Sequence, residues 1–501
     1  MANASPPHGV TMQLESLQVY SEEEEESDIV TEADSGSERG SSRRSDRSSP
    51  TNSIDSLTSS FDSLFTDGSV APRMLIRELA SKMRSADDSK AAAAAKNVYD
   101  IVRDVCPTWR QNQTEICRCH EMLQALAALL RSPSERCRYE ACRALGNIAF
   151  QNPGFLGQAL PAGVMDATGA ADALVTDNCL AIVQTVGMLD GLRYVLQVGN
   201  VNSKHEAARV VNNCAAYSAA AAEVMVQSAG LIHALKGLCG SGGRAQRTRA
   251  KAIGAINCLS TYEETRPYLV AARVVEDALV PALHLKKKAF GDSDEYKAMR
   301  ADAVMATANL VGKDENSPVS REPDGLKTVI KCLRHGLDGQ VWAGITWTSY
   351  SSLLPLANLT VSDTNKEILN ELGLVELLVR VLAECLTPVE EELAGSAVSD
   401  LVQLAPTPPS GLSHACRRRM VNCGAIERLK NIMRGNGLNK AADGQDVMRR
   451  AKHTLWWLTK RESPELLQLV QVYHLPLSGR HIFISYDTEA KPGNGYTNRE
   501  C

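Results

Sequence analysis

The residues best suited to chemistry in this sequence are carboxamides set at long, near-regular intervals. Asn147 in YEACRALGNIAF, Asn213 in HEAARVVNNCAAY, Asn257 in RAKAIGAINCLS, Asn309 in RADAVMATANLV and Asn358 in SSLLPLANLT each stand near the end of an Ala- and Leu-rich run. A primary amide has donors and an acceptor, so it can hold a peptide unit whatever side chain that unit carries. Two uses stay open: gripping the backbone of an extended peptide, or bonding a carbonyl of a neighbouring stretch of this chain. One helical turn earlier stand Arg143, Arg209, Ile253, Met305 and Leu354, and in RRAKHTLWWLT His453 precedes Trp457 by the same step. Residues four apart share a helix face. The lining is therefore cationic at first, apolar in the middle and basic again near Arg449 and Arg450.

Other clusters point to less. Cys117, Cys119 and His120 lie together in ICRCHEML, but on a helix only Cys117 and His120 share a face, and no second ligand pair follows at finger spacing. No metal or other cofactor is expected. A Gly-rich phosphate loop, a nucleophile elbow and a zinc-protease helix are all lacking, so the chain reads as a binding protein and not an enzyme. The basic runs Lys286 to Lys288 and Arg417 to Arg419 read as solvated faces.

These residues need elements to position them. Hydrophobic residues make up 44% and aromatics only 5%, a mixture that suits packed helices. The anchors, continued by Gln403 and Trp457, recur every 44 to 54 residues after a first gap of 66, which is the period of paired or tripled helices. Between them a Gly opens an amphipathic helix at Gly187, Gly230, Gly325, Gly373 and Gly424, with apolar residues at three- and four-residue steps. Insertions at Asn152 to Asn178 and Lys286 to Lys297 interrupt the period and are candidate contact loops.

Residues 1–72 carry 14 acidic against 4 basic residues and are Ser-rich, which predicts a disordered tail. Within it Ile54, Leu57, Phe61, Leu64 and Phe65 fall on one helical face, and the acidic segment that bears them is complementary to the arginines and apolar centre of the lining. Docking of the tail onto its own body, and hence autoinhibition, is the expectation. The remaining body is mildly basic and has no stripe of stacking aromatics, so nucleic acid is not an expected partner. Fourteen cysteines without a signal peptide read as free thiols in a reducing compartment, cytoplasmic or also nuclear, and no apolar stretch reaches the roughly 18 residues of a membrane span.

A short helix, a turn at Gly, a second helix, a loop and a third helix ending near Asn resembles the armadillo repeat, with the HEAT repeat a close rival. The resemblance covers residues 73–473 in about eight copies. It implies an all-α, right-handed superhelical solenoid whose third helices line a concave, protein-binding surface, and so places the Asn residues in a ladder along it. Importin-alpha-like members carry Trp where this chain has Arg143, Arg209, Ile253, Met305 and Leu354, so recognition of nuclear import signals is not implied. CRALGNIAF, QSAGLIHALKGL and AINCLSTYEETRPYLVAARVVEDALVPALHLKKK resemble the small-GTPase GDP-dissociation stimulators, which implies small GTPases as partners. In residues 474–501, LPLSGRHIFISYD resembles the first strand of the TIR domain of armadillo-TIR proteins, and the polar DTEAKPGNGYTNREC after it departs from that domain. The alternatives are thus the regulatory half of an armadillo-TIR protein lacking its catalytic domain, or a trafficking or cytoskeletal adaptor.

Overall fold

The computed structural model describes residues 70–458 except 104–105, 107, 151–175, 241–244, 286–292, 312–317, 322, 348, 385–411, 435–448, 450, 453 and 456–457. Every described residue belongs to one compact unit, Thr58–Cys501. The tail motif at 54–65 and the TIR-like segment at 475–487 lie outside the described residues.

Several helices start where a short polar side chain satisfies an orphan N–H group of the first turn. Asn200 Oδ1 accepts from Ser203 N at 2.9 Å, Ser218 Oγ from Ala221 N at 3.1 Å, and Asp87 Oδ1 from Ser89 N at 2.9 Å. The turn between first and second helices is made by glycine. Gly187, Gly230, Gly373 and Gly424 have φ of 79°, 78°, 90° and 83°, the left-handed region that a side chain disfavours. Gly325 departs from that expectation: its helix begins earlier, as Pro323–Leu337, and Gly325 lies inside it.

The helices stack in two rows. One row runs in chain order through Asp88–Ile101, the Asn147 helix (Glu135–Ile148), the Asn213 helix (Val201–Tyr217), the Asn257 helix (Gln246–Ser260), the Asn309 helix (Asp294–Val311) and the Asn358 helix (Ser349–Leu359), each packed on the next. The other runs through Arg73–Met83, His120–Leu129, Met188–Val198, Leu231–Cys239 and the π-helical turn Val275–Leu279. It continues as Pro323–Leu337, Leu374–Glu384 and Ala425–Arg434. Each helix therefore meets chiefly its neighbours in the stack, which is the solenoid architecture. Between row-one helices the buried residues are small: Ala207, Ala208, Cys214, Ala215, Ala252, Ala255, Ala301 and Ala303 are fully enclosed. Leucines such as Leu123, Leu126, Leu192 and Leu235 fill the space between the rows, each contributing roughly 2 kcal/mol by burial.

Short first helices close the ends of the long ones. Gln113 Nε2 donates to Asn147 O at 2.6 Å and Phe150 O at 3.0 Å, Asn112 Nδ2 to Ile101 O at 2.9 Å, and Asn365 Nδ2 to Leu359 O at 3.1 Å. Arg266 does the same for Ser260 O and Thr261 O at 3.0 and 3.1 Å. The last carbonyls of a helix lack the full set of intrahelical partners, so these side-chain donors help the helices end inside the stack.

One feature is not helical. Val341–Trp342 pairs antiparallel with Ile345–Thr346 across a two-residue turn in which Ala343 and Gly344 have φ of 58° and 70°. Positive φ at both central residues matches the twist of a hairpin. Trp347 Nε1 donates to Trp342 O at 2.9 Å, and His335 stacks on Trp342 at 6.0 Å between ring centroids, which fixes the hairpin on the Pro323–Leu337 helix.

Candidate partner-binding face

The face bearing the anchor amides is built by the Asn147, Asn213, Asn257, Asn309 and Asn358 helices, and most of those amides bond between repeats. Asn213 Nδ2 donates to Gly146 O at 2.9 Å, in the helix before it. Asn147 Oδ1 accepts from Arg209 Nη1 at 2.8 Å, in the helix after it. Asn257 Nδ2 donates to Asp302 Oδ1 at 2.9 Å, and Asn309 Nδ2 to Ser260 Oγ at 3.1 Å. Of the two uses open to these amides, bonding between neighbouring helices is the one the geometry displays. Asn358 is buried, and its Nδ2 has no hydrogen-bond partner among the described residues.

The acceptors of these bonds change along the row. Asn213 meets a backbone carbonyl, Gly146 O, one residue before the anchor Asn147, whereas Asn309 meets a side-chain hydroxyl, Ser260 Oγ, three residues after the anchor Asn257. Ser260 Oγ itself donates to Asn257 O at 2.7 Å, so it lies back beside the anchor's carbonyl and the two amides are held at nearly the same level of their neighbours.

The lining one turn before the anchors differs from expectation in its centre. Ile253 and Met305 are fully buried core and offer nothing to a partner, while Leu354 is half-buried. The reason is the small residues between these helices: close approach encloses a position that a wider spacing would leave open. His453 and Trp457 lie outside the described residues.

Arg143 is also buried, held by Glu140 Oε2 at 3.3 Å, with its guanidinium 3.9 Å above the Tyr99 ring and 5.3 Å from that of Tyr139. Such contacts contribute about 1 to 2 kcal/mol where water is excluded. Burial pushes the Glu140 carboxyl up, against the pull of Arg143. Arg209 is spread over three acceptors, Glu206 Oε2 at 2.7 Å, Asn147 Oδ1 at 2.8 Å and Arg143 O at 3.3 Å. Both arginines are thus structural clasps between helices before they are anything else.

One cation among the described residues of this face is not picked out by the four-residue spacing. Lys251 is half-buried and makes no hydrogen bond or ion pair within the described residues. Burial, and then the nearby Arg209, push its ammonium below the usual lysine range, with Asp302, Cys258 and Glu206 opposing. His205 is held down by burial, against Glu206 and together with Lys251, Arg247 and Arg209. The signal was in the sequence: RAKA and RADA place Lys251 and Asp302 at the same point, one residue off the register set by the Asn anchors.

Residues 119–150 match the model of the Armadillo/beta-catenin-like repeat, a span that holds the His120–Leu129 and Glu135–Ile148 helices and Asn147. This stretch is similar to a single armadillo repeat. The stacked helices on either side make the whole described body an all-α solenoid built in the armadillo manner. No curated protein matches. Among solved structures the chain is similar to an engineered protein at 19% identity, over 77% of this chain and 99% of that one, with a TM-score of 0.38. A designed armadillo repeat protein is similar at 19% identity, over 54% and 99%, with a TM-score of 0.35. A chain studied for a phosphorylation switch that controls the interaction between cadherin and beta-catenin is similar at 17% identity, over 76% and 68%, with a TM-score of 0.37. The dissociation-stimulator and TIR resemblances gain no support from these likenesses.

Among the described residues no group of three or more His, Cys, Asp and Glu side chains could hold a metal ion. The helix expected to join Cys117 and His120 on one face is in fact two, ending at Cys117 and restarting at His120. No single helix among the described residues is long and apolar enough to cross a membrane.

Proposed function

We propose that this armadillo array is a protein-binding scaffold whose row of third helices takes an extended, acidic segment of a partner. The observation that carries this reading is Lys251, half-buried beside Arg209 and making no hydrogen bond or ion pair within the described residues, with Asp302 and Glu206 acting on it only from beyond ion-pair distance. Leaving a charge half-buried and unpaired costs free energy that an incoming carboxylate would recover. Four of the five anchor amides, those of Asn147, Asn213, Asn257 and Asn309, are already engaged between helices, so specificity rests on charge at this point more than on a continuous amide ladder. The sequence resemblance to dissociation stimulators supports small GTPases as the partner class.

Selection of displayed extended peptides on the full chain tests the charge reading. Peptides rich in Asp and Glu should be enriched, and Lys251→Glu should abolish or invert that preference. Equal recovery of acidic and basic peptides would overturn it. The partner class is tested separately, by release of a fluorescent guanine nucleotide from a panel of small GTPases with and without the chain.

A further inference from the structure

The joint between the Asn257 and Asn309 helices has a carboxyl at its centre. Asp302 is 9% exposed, and its Oδ1 accepts from Asn257 Nδ2 at 2.9 Å. Its Oδ2 lies over Gly254, 3.1 Å from the place a Cβ would take, and Asn212 Oδ1 is 2.9 Å from the same place. The two oxygens are therefore no more than 6.0 Å apart, meeting over bare backbone from helices on either side of the Asn257 helix. Glycine inside a helix costs about 1 kcal/mol relative to alanine, and here its lack of a side chain is what admits both groups.

Both oxygens are acceptors when Asp302 is ionised, and two acceptors cannot bond each other. A protonated carboxyl carries an O–H that can be given to Asn212 Oδ1. We propose that Asp302 is a proton-gated clasp: protonated, it ties the Asn213, Asn257 and Asn309 helices together through Asn212 and Asn257, and ionised, it releases the Asn212 side. The proton comes from solvent and returns to it, and no other bond is made or broken.

The groups that face Asp302 are consistent with this role. Burial lifts its carboxyl to about 7, opposed by the hydrogen bond from Asn257 and by the Lys251 ammonium, and no other charged group among the described residues acts on it. Two thiols also feel it, Cys258 on the Asn257 helix and Cys332 on Pro323–Leu337. Burial pushes the first up to about 12 and the second well above its usual value, so both are neutral over the range concerned. A carboxyl raised in the folded state stabilises most below its unfolded value, and the contribution is lost as pH rises through about 7.

The inference is independent of any partner and is tested without one. Amide hydrogen exchange of the full chain, corrected for intrinsic rates, should show protection of residues 246–260 and 294–311 falling about tenfold between pH 6 and pH 8, with residues 88–101 unaffected. Asp302→Asn supplies a permanent donor toward Asn212 while still accepting from Asn257, so protection should stay high at both pH values. Asn212→Ala removes the acceptor and should bring protection at pH 6 below that of the wild type, leaving only the slope that burial of Asp302 imposes without it. A pH-independent wild type, an Asp302→Asn variant that keeps the wild-type slope, or an Asn212→Ala variant as protected as the wild type at pH 6 would overturn the clasp.

Discussion

The guanidinium of Arg209 lies against the bare α-carbon of Gly146, with Cζ and Nη2 each 2.8 Å from where a β-carbon would stand, and from there Nη1 reaches Asn147 Oδ1. Two helices separated by a long insertion in sequence are thus locked by a side chain that only a glycine can receive.

Gly146→Ala should test that lock. Alanine gains up to about 1 kcal/mol of helix propensity, but it must displace Arg209 from acceptors worth about 1 to 2 kcal/mol. A net loss on the order of 1 kcal/mol is expected in urea unfolding. In the background of Arg209→Ala the same change should become neutral or stabilising, and a simple sum of the two single effects would show that the contact does not matter.

Asn213→Ala should cost more, about 2 kcal/mol, because it strands the amide's partner, the Gly146 carbonyl, in a buried place. Chemical denaturation at neutral pH measures this, and a loss under about half a kcal/mol would mean that the carbonyl finds another donor.

Two glycines with open space around them separate backbone geometry from packing. Gly187 has φ of 79° and nothing within 4 Å of the place a β-carbon would take, so Gly187→Ala should destabilise by about 1 kcal/mol through backbone strain alone. Gly237 lies within an ordinary helix with the same open space, so Gly237→Ala should stabilise by about 0.5 to 1 kcal/mol. Thermal melts of the pair, side by side, should move in opposite directions.

His205 predicts a pH effect opposite in sign to that of Asp302. Its imidazole is held below the usual histidine range by burial, so the unfolded chain binds the proton more readily. The stability it confers is present above the unfolded value near 6.5 and is lost as pH falls toward the folded value. His205→Gln should flatten the acid side of the stability profile below about pH 6.5, and an unchanged profile would remove His205 as its cause.

Much of this was legible in the residues. Asn147, Asn213, Asn257 and Asn309 announced themselves because an amide at the end of an apolar helix needs a partner, and the turns at Gly187, Gly230, Gly373 and Gly424 because only glycine is at ease there. The partners were not legible. Whether Ile253 faces a groove or the core depends on how closely two helices approach, and that is set by many small side chains acting together. Lys251 was hidden for the same reason, since its neighbours come from helices more than forty residues away.

The change of acceptor from a backbone carbonyl to a serine hydroxyl has a hereditary side. Copies of a repeat can be exchanged or duplicated only where the new neighbours still supply the oxygen an amide needs. The step that joins the Asn147 and Asn213 helices, which uses a carbonyl, is therefore not interchangeable with the step that joins the Asn257 and Asn309 helices, which uses the Ser260 hydroxyl. A unit without that serine, transplanted across the boundary, would leave the following amide without its partner. The array is in this sense directional text, readable in one order, although each of its words is built on the same plan.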